Sequence, residues 1–71
     1  MNNILKQKRR SLGYSLQQIA DKLGVSDVTI SRYENCKRFP YITELLSIAS
    51  AYQLTDEELL QYINFANNYK K

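Results

Sequence analysis

Apolar side chains recur at three- and four-residue spacing through most of the chain, and no stretch shows the strict alternation of a half-buried strand. Five amphipathic segments follow from that pattern. The first covers residues 3–12, with Leu5 and Leu12 seven apart on one face, Lys6, Lys8, Arg9 and Arg10 on the others, and Gly13 as its stop. The second opens at Ser15, which makes a capping box with Gln18 ahead of Ile19, Ala20 and Leu23; Gly24 ends it. The third, 26–35, starts at Ser26 as N-cap, with Asp27 complementing the helix dipole, and carries Ile30 and Tyr33 inward. After a polar, basic loop at 35–40 comes a fourth segment, 42–52, with Leu45, Leu46, Ile48 and Ala49 expected inside. Thr55 and Glu58 form another capping box and open a fifth helix at 55–69, whose apolar stripe is read as Leu59, Leu60 and Ile63. Gly occurs only at 13 and 24 and Pro only at 40, so the expected fold is an all-α, five-helix domain over residues 1–71, without repeats.

Composition narrows what such a domain does. A chain of 71 residues makes one domain, and one this short buries only about 60% of its unfolded surface on folding, so partner binding is expected to add to its stability. Cys36 is the single cysteine, so no disulfide staples the chain and a cytoplasmic location is expected. No apolar run approaches the ~18 residues of a membrane span, and Met1, Asn2 and Asn3 lack the charged-then-apolar pattern of a secretory signal. No membrane association is therefore expected. There is no His, no Gly-rich phosphate loop and no Cys/His cluster at metal-ligand spacing, and the consecutive Asp56, Glu57 and Glu58 fit a helix N-terminus. These features predict no catalytic residues, no metal, no cofactor and no enzyme activity. A chain this short also leaves no room for a sizeable ligand pocket, so no small-molecule ligand is expected and control falls to abundance, dimerisation or a regulatory protein partner.

Charge is split along the chain. Residues 1–40 hold eight Lys/Arg against three Asp/Glu, whereas residues 41–71 hold two against four. Such asymmetry fits a molecule with one face toward a polyanion, although a merely solubilising surface also accommodates it. The second and third helices add a sharper sign. Two short helices joined by a turn of about four residues, with Gly24 at its head, make a helix-turn-helix unit over 16–35. Ala20 is small enough for the helices to approach, and Leu23, Val25 and Ile30 fill the wedge between them.

The run Ser15-Leu16-Gln17-Gln18-Ile19-Ala20-Asp21-Lys22-Leu23-Gly24-Val25-Ser26-Asp27-Val28-Thr29-Ile30-Ser31-Arg32-Tyr33-Glu34-Asn35 resembles the signature of the repressor/Cro (XRE) family of DNA-binding proteins. The resemblance extends to Arg9, to Lys37-Arg38-Phe39-Pro40 and to the Leu45/Ala49 spacing, and covers about residues 3–61. It implies a five-helix domain whose third helix enters the major groove of double-stranded DNA. It also implies a partly buried ion pair between Arg9 and Glu34. Two departures stand out: Leu16 occupies a position where the family often has a phosphate-binding Gln, and Cys36 stands where Gly is common.

On a three-helix core, Asp27, Val28, Ser31 and Arg32 fall on the outside of the third helix and are the candidate base readers. Arg32 is the foremost, since its planar fork matches guanine O6 and N7 together. Asp27 either accepts from cytosine N4 or adenine N6 or simply complements the helix start, and Val28 suits a thymine methyl. Candidate phosphate contacts are Gln17, standing in for Leu16, and Ser26, Thr29, Asn35, Lys37 and Arg38. Tyr62, Phe65, Ala66 and Tyr69 repeat at helical spacing beyond the expected stripe, so they are read as an exposed second stripe forming a homodimer interface, the alternative being that these rings cover the domain's own underside. The expected function is a dimeric, sequence-specific transcriptional regulator, a repressor in the first instance. An antitoxin or restriction-modification controller, and an adaptor that has lost DNA binding, are the alternatives.

Overall fold

The computed structural model describes residues 3–69; residues 1, 2, 70 and 71 of the expected domain, including Met1 and Asn2 of the chain start, lie outside them. The described chain is helical with no strand: α1 (Ile4–Leu12), α2 (Leu16–Leu23), α3 (Asp27–Glu34), a single 3-10 turn (Ile42–Glu44), α4 (Leu45–Ala51) and α5 (Asp56–Tyr69). No helix among these residues is long and apolar enough to cross a membrane.

The helix starts follow from local side chains. Ser15 accepts from the Gln18 amide at 3.1 Å while Gln18 reaches back to the Ser15 amide at 2.8 Å, and Thr55 and Glu58 repeat the exchange at α5. Ser26 caps α3 through the Thr29 amide at 3.2 Å. Asn3 caps α1 through the Leu5 amide and, from a buried position, donates its Nδ2 to the Tyr33 carbonyl at 2.7 Å. One side chain thus starts α1 and ties it to the end of α3.

The helix ends share a geometry. Gly13 and Gly24 take left-handed φ of 77° and 69°, and the amide after each donates to the carbonyl five residues back, at Arg9 and Ala20. Cys36 (φ 61°) and Gln53 (φ 53°) hold the same left-handed position after α3 and α4, with Lys37 and Leu54 donating to Arg32 and Ala49. Cys36 therefore does adopt the backbone conformation for which Gly is ordinarily used, and its side chain is buried.

A core of Leu5, Ile19, Ala20, Ile30, Tyr33, Ile48, Ala51, Tyr52 and Tyr62 joins all five helices. Within it α2 packs on α3 and α4, while α1 packs on α3 and α5. Lys8 and Glu58 bridge α1 to α5 at 3.0 Å; the Thr55 amide and Lys8 hold the Glu58 carboxyl below its ordinary range.

Two positions expected inside and one expected outside are corrected. Leu46 is 78% exposed and Leu60 61% exposed. Each follows an inward neighbour, Leu45 or Leu59, by one residue, and a step of about 100° around the helix carries it off the buried side. Tyr62 moves the other way. It is 1% exposed at the centre of the single stripe Leu59, Tyr62, Ile63 and Ala66, so there is no separate aromatic stripe and Tyr62 is unavailable to a partner. Of that group only Tyr69 is exposed; it packs at 5.6 Å between ring centroids against both Phe39 and Phe65, and Phe65 and Ala66 are half-buried.

Candidate nucleic-acid interface

The inner side of α3 is fixed by apolar contact and by one polar cluster. Ile30 and Tyr33 are buried, and beside them Glu34 is almost wholly enclosed. Arg9 meets Glu34 with its fork, Nε to Oε2 at 2.8 Å and Nη2 to Oε1 at 3.0 Å, and donates its remaining Nη1 to the Tyr14 carbonyl at 2.9 Å. Tyr52 completes the cluster from α4, its hydroxyl donating to Glu34 Oε2 at 2.8 Å. A buried carboxylate that accepts three hydrogen bonds, two at Oε2 and one at Oε1, is tolerable where an unpaired one is not. The Glu34 hydrogen bond raises the Arg9 pKa, and burial followed by the Glu34 charge raises that of Tyr52. The cluster locks α3 to α1 and α4, and so sets the direction in which its other side points.

That other side carries Asp27, Val28, Ser31 and Arg32. Asp27 and Arg32 are exposed, Val28 is 52% exposed and Ser31 is half-buried. No hydrogen bond or ion pair within the described chain occupies the side chain of Asp27 or Arg32. The four project together from one helix whose base is rigid, the arrangement that reading base edges requires.

The expected phosphate contacts surround this helix and differ among themselves. Lys37 and Arg38 are exposed just beyond α3, their backbone amides turned inward to the Arg32 carbonyl. Gln17 is exposed on the first turn of α2 and donates to Asp21 at 2.8 Å, which leaves one amide proton for an outside acceptor. Ser26 and Thr29 share a hydroxyl contact of 3.0 Å at the start of α3. First-turn amides of α2 and α3 add donors that no intrahelical carbonyl can meet. Asn35 is turned onto its own helix, its Nδ2 lying 2.9 Å from the Ser31 carbonyl and 3.2 Å from Ser31 Oγ.

Sequence reasoning missed Tyr52 as the third member of the Arg9–Glu34 cluster and Asn3 as a buried tie. The signal for Tyr52 was its place on the Leu45/Ile48 stripe, since a buried phenol ordinarily finds a partner. Asn3 carried no comparable sign, because Asn is common at surface N-caps.

Comparison with known proteins bears on this geometry. The helix-turn-helix family model matches residues 5–59. The HTH-type transcriptional regulator ImmR of Bacillus subtilis (strain 168) is 32% identical over 56 residues, covering 79% of this chain and 44% of that protein. The chain therefore spans less than half the length of that curated relative. No solved structure matches.

Proposed function

The chain belongs to the helix-turn-helix family, of the repressor/Cro type its sequence resembles, and from that premise we propose that it is a sequence-specific double-stranded DNA-binding transcriptional regulator. The observation that carries the proposal is the outer side of α3. Val28, Ser31 and Arg32 stand out from a helix clamped at its other side, flanked by the exposed Lys37 and Arg38 and by two helix N-termini. This is the layout of a major-groove reader with phosphate contacts on both flanks. The ImmR likeness supports the same reading. The protein needs no cofactor for this and no enzymatic step.

It acts as a repressor, by occupying an inverted-repeat operator as a homodimer. Half-sites one helical turn apart lie about 34 Å from centre to centre. The molecule measures 29 × 23 × 23 Å between Cα atoms, a size comparable to that spacing, which brings two copies close to one another. Tyr62 is excluded from the contact by its burial. The apolar surface that suits it is the exposed pair Ile42 (82%) and Leu46 (78%), beside a groove of about 330 Å³ formed with Leu45, Ile63 and Ala66. A ridge next to a groove is self-complementary under a two-fold axis, and the patch has no charge to repel its own copy.

Selection from a random pool of duplex DNA tests the whole reading. An inverted repeat should emerge, and log affinity for it should fall linearly with log salt, by about 0.9 per phosphate contact. Lys37→Ala should lower that slope by about one per subunit while leaving sequence preference intact. A slope near zero removes DNA from the account. Leu46→Asp should yield a monomer in light scattering; an intact dimer moves the interface elsewhere.

A further inference from the structure

We propose that Arg9 is a positioning residue for DNA binding: it closes the open end of the helix-turn-helix unit and so holds the start of α2, with Gln17, at one distance from the reading side of α3. The inference rests on the DNA reading given above and adds to it the side chain that sets the spacing between two contacts.

Gly24, Val25 and Ser26 join α2 to α3 at one end. At the other stand Tyr14, two residues ahead of α2, and Glu34, the last residue of α3. Arg9 links the two through one planar group. Its Nε and Nη2 donate to Glu34 at 2.8 and 3.0 Å, and its Nη1 donates to the Tyr14 carbonyl at 2.9 Å. That carbonyl belongs to the Tyr14–Ser15 peptide, whose N–H donates to Gln18 Oε1 at 2.8 Å. Both edges of the peptide leading into α2 are thereby held, one by Arg9 and the other by α2 itself. The Tyr14 amide also donates to the Arg9 carbonyl, at 3.1 Å, so main chain and side chain of one residue grip Tyr14 together.

Packing alone fixes this spacing less closely. Helix pairs that pack ridges into grooves differ by about 15° in crossing angle. Over the eight residues of α2, a length of about 12 Å, a rotation of that size moves the far end by about 3 Å. A hydrogen bond from Gln17 to a phosphate does not survive such a shift while α3 stays in the groove. The guanidinium carries its donors at fixed separations in one plane, and its three bonds to Glu34 and Tyr14 oppose the movement.

A cycle of substitutions on the duplex selected from the random pool tests this, with affinities compared per folded molecule after urea denaturation has given each folded fraction. Gln17→Ala should weaken binding by about threefold or more in the wild-type background. In Arg9→Lys, whose single nitrogen lacks the fork that spans Glu34 and Tyr14, the same substitution should cost little. Lys37→Ala, beyond the end of α3, should cost an equal factor in both backgrounds. A purely structural Arg9 would lower stability and leave the cost of Gln17→Ala the same in both, and that outcome overturns the assignment. So does a Gln17→Ala without effect in the wild type, or an Arg9→Lys background in which Lys37→Ala loses its cost as well. Should Arg9→Lys not fold, the wild-type protein decides. Nitrogen-15 NMR should then show separate, slowly exchanging Nη protons for Arg9 with and without the duplex, and averaged signals overturn the tie. If the pool enriches no sequence and binding shows no salt dependence, the DNA reading has failed. If it enriches a sequence and Gln17→Ala costs the same in both backgrounds, only the present inference has.

Discussion

Both sides of α3 carry polar and charged side chains, yet they are used in opposite ways. On the inner side Glu34 has Arg9 and Tyr52 around it, all three held in fixed hydrogen bonds, with Glu34 and Tyr52 buried and Arg9 partly so. On the outer side Asp27 and Arg32 point into solvent with no partner in the described chain. Charge alone therefore does not separate a structural group from a functional one. Commitment does: a paired, buried charge has already used its directional bonds to position a helix, whereas an unpaired, exposed one on a rigid base keeps them for a ligand.

The comparison yields graded expectations. Glu34→Ala strands the Arg9 guanidinium beside a buried phenol and should cost about 3–5 kcal/mol of unfolding free energy, measured by urea denaturation. A loss below about 1 kcal/mol, the usual worth of an exposed pair, would erase the difference between the two sides. Tyr52→Phe removes one bond to a charged acceptor and should cost about 1.5–3 kcal/mol. The same contact has an alkaline signature. Burial and the Glu34 charge raise the folded-state pKa of Tyr52 above the value of about 10 that it has in the unfolded chain. The protonated phenol is thus favoured by folding, and the associated stability is complete below about pH 10 and is lost as pH rises beyond it. Tyr52→Phe should flatten that part of the stability profile.

On the outer side the order of effects reverses. Arg32→Ala should leave the melting temperature nearly unchanged while removing roughly 1–3 kcal/mol of discrimination at one base pair per half-site. Arg32→Lys should not restore it, since Lys keeps the charge and lacks the fork. Equal binding ratios for wild type and both variants would make Arg32 a positioning contact only. Val28→Ala is the smallest change: stability should stay within about 0.5 kcal/mol, with a weaker preference at a thymine as its measurable effect. A larger loss of stability would mean that Val28 belongs to the core side.

How much of this was legible in the sequence depended on the range of the interaction. Ser15, Ser26 and Thr55 announced their helices because a cap involves residues three apart, and Gly13 and Gly24 announced two ends because a left-handed position suits Gly. The equivalent end at Gln53 gave no such sign, since nothing in the residue type favours that conformation, and Cys36 gave one only through the resemblance, standing where Gly is common. Arg9 and Glu34 were expected as a pair only through family resemblance. Their separation of 25 positions leaves no local trace.

By itself, then, the sequence determined the helical segments, the helix-turn-helix unit and the outward set on α3, because each rests on contacts within a turn or two of chain. Tertiary structure decided which residues of α4 and α5 lie inside. Leu46 and Leu60 are as apolar as their buried neighbours and are excluded by a step around the helix, while Tyr62 is enclosed by helices distant in sequence. It also decided that Tyr52 completes the cluster around Glu34. Such assignments depend on what packs across the core, and periodicity along one helix says which residues share a face without saying which face is covered.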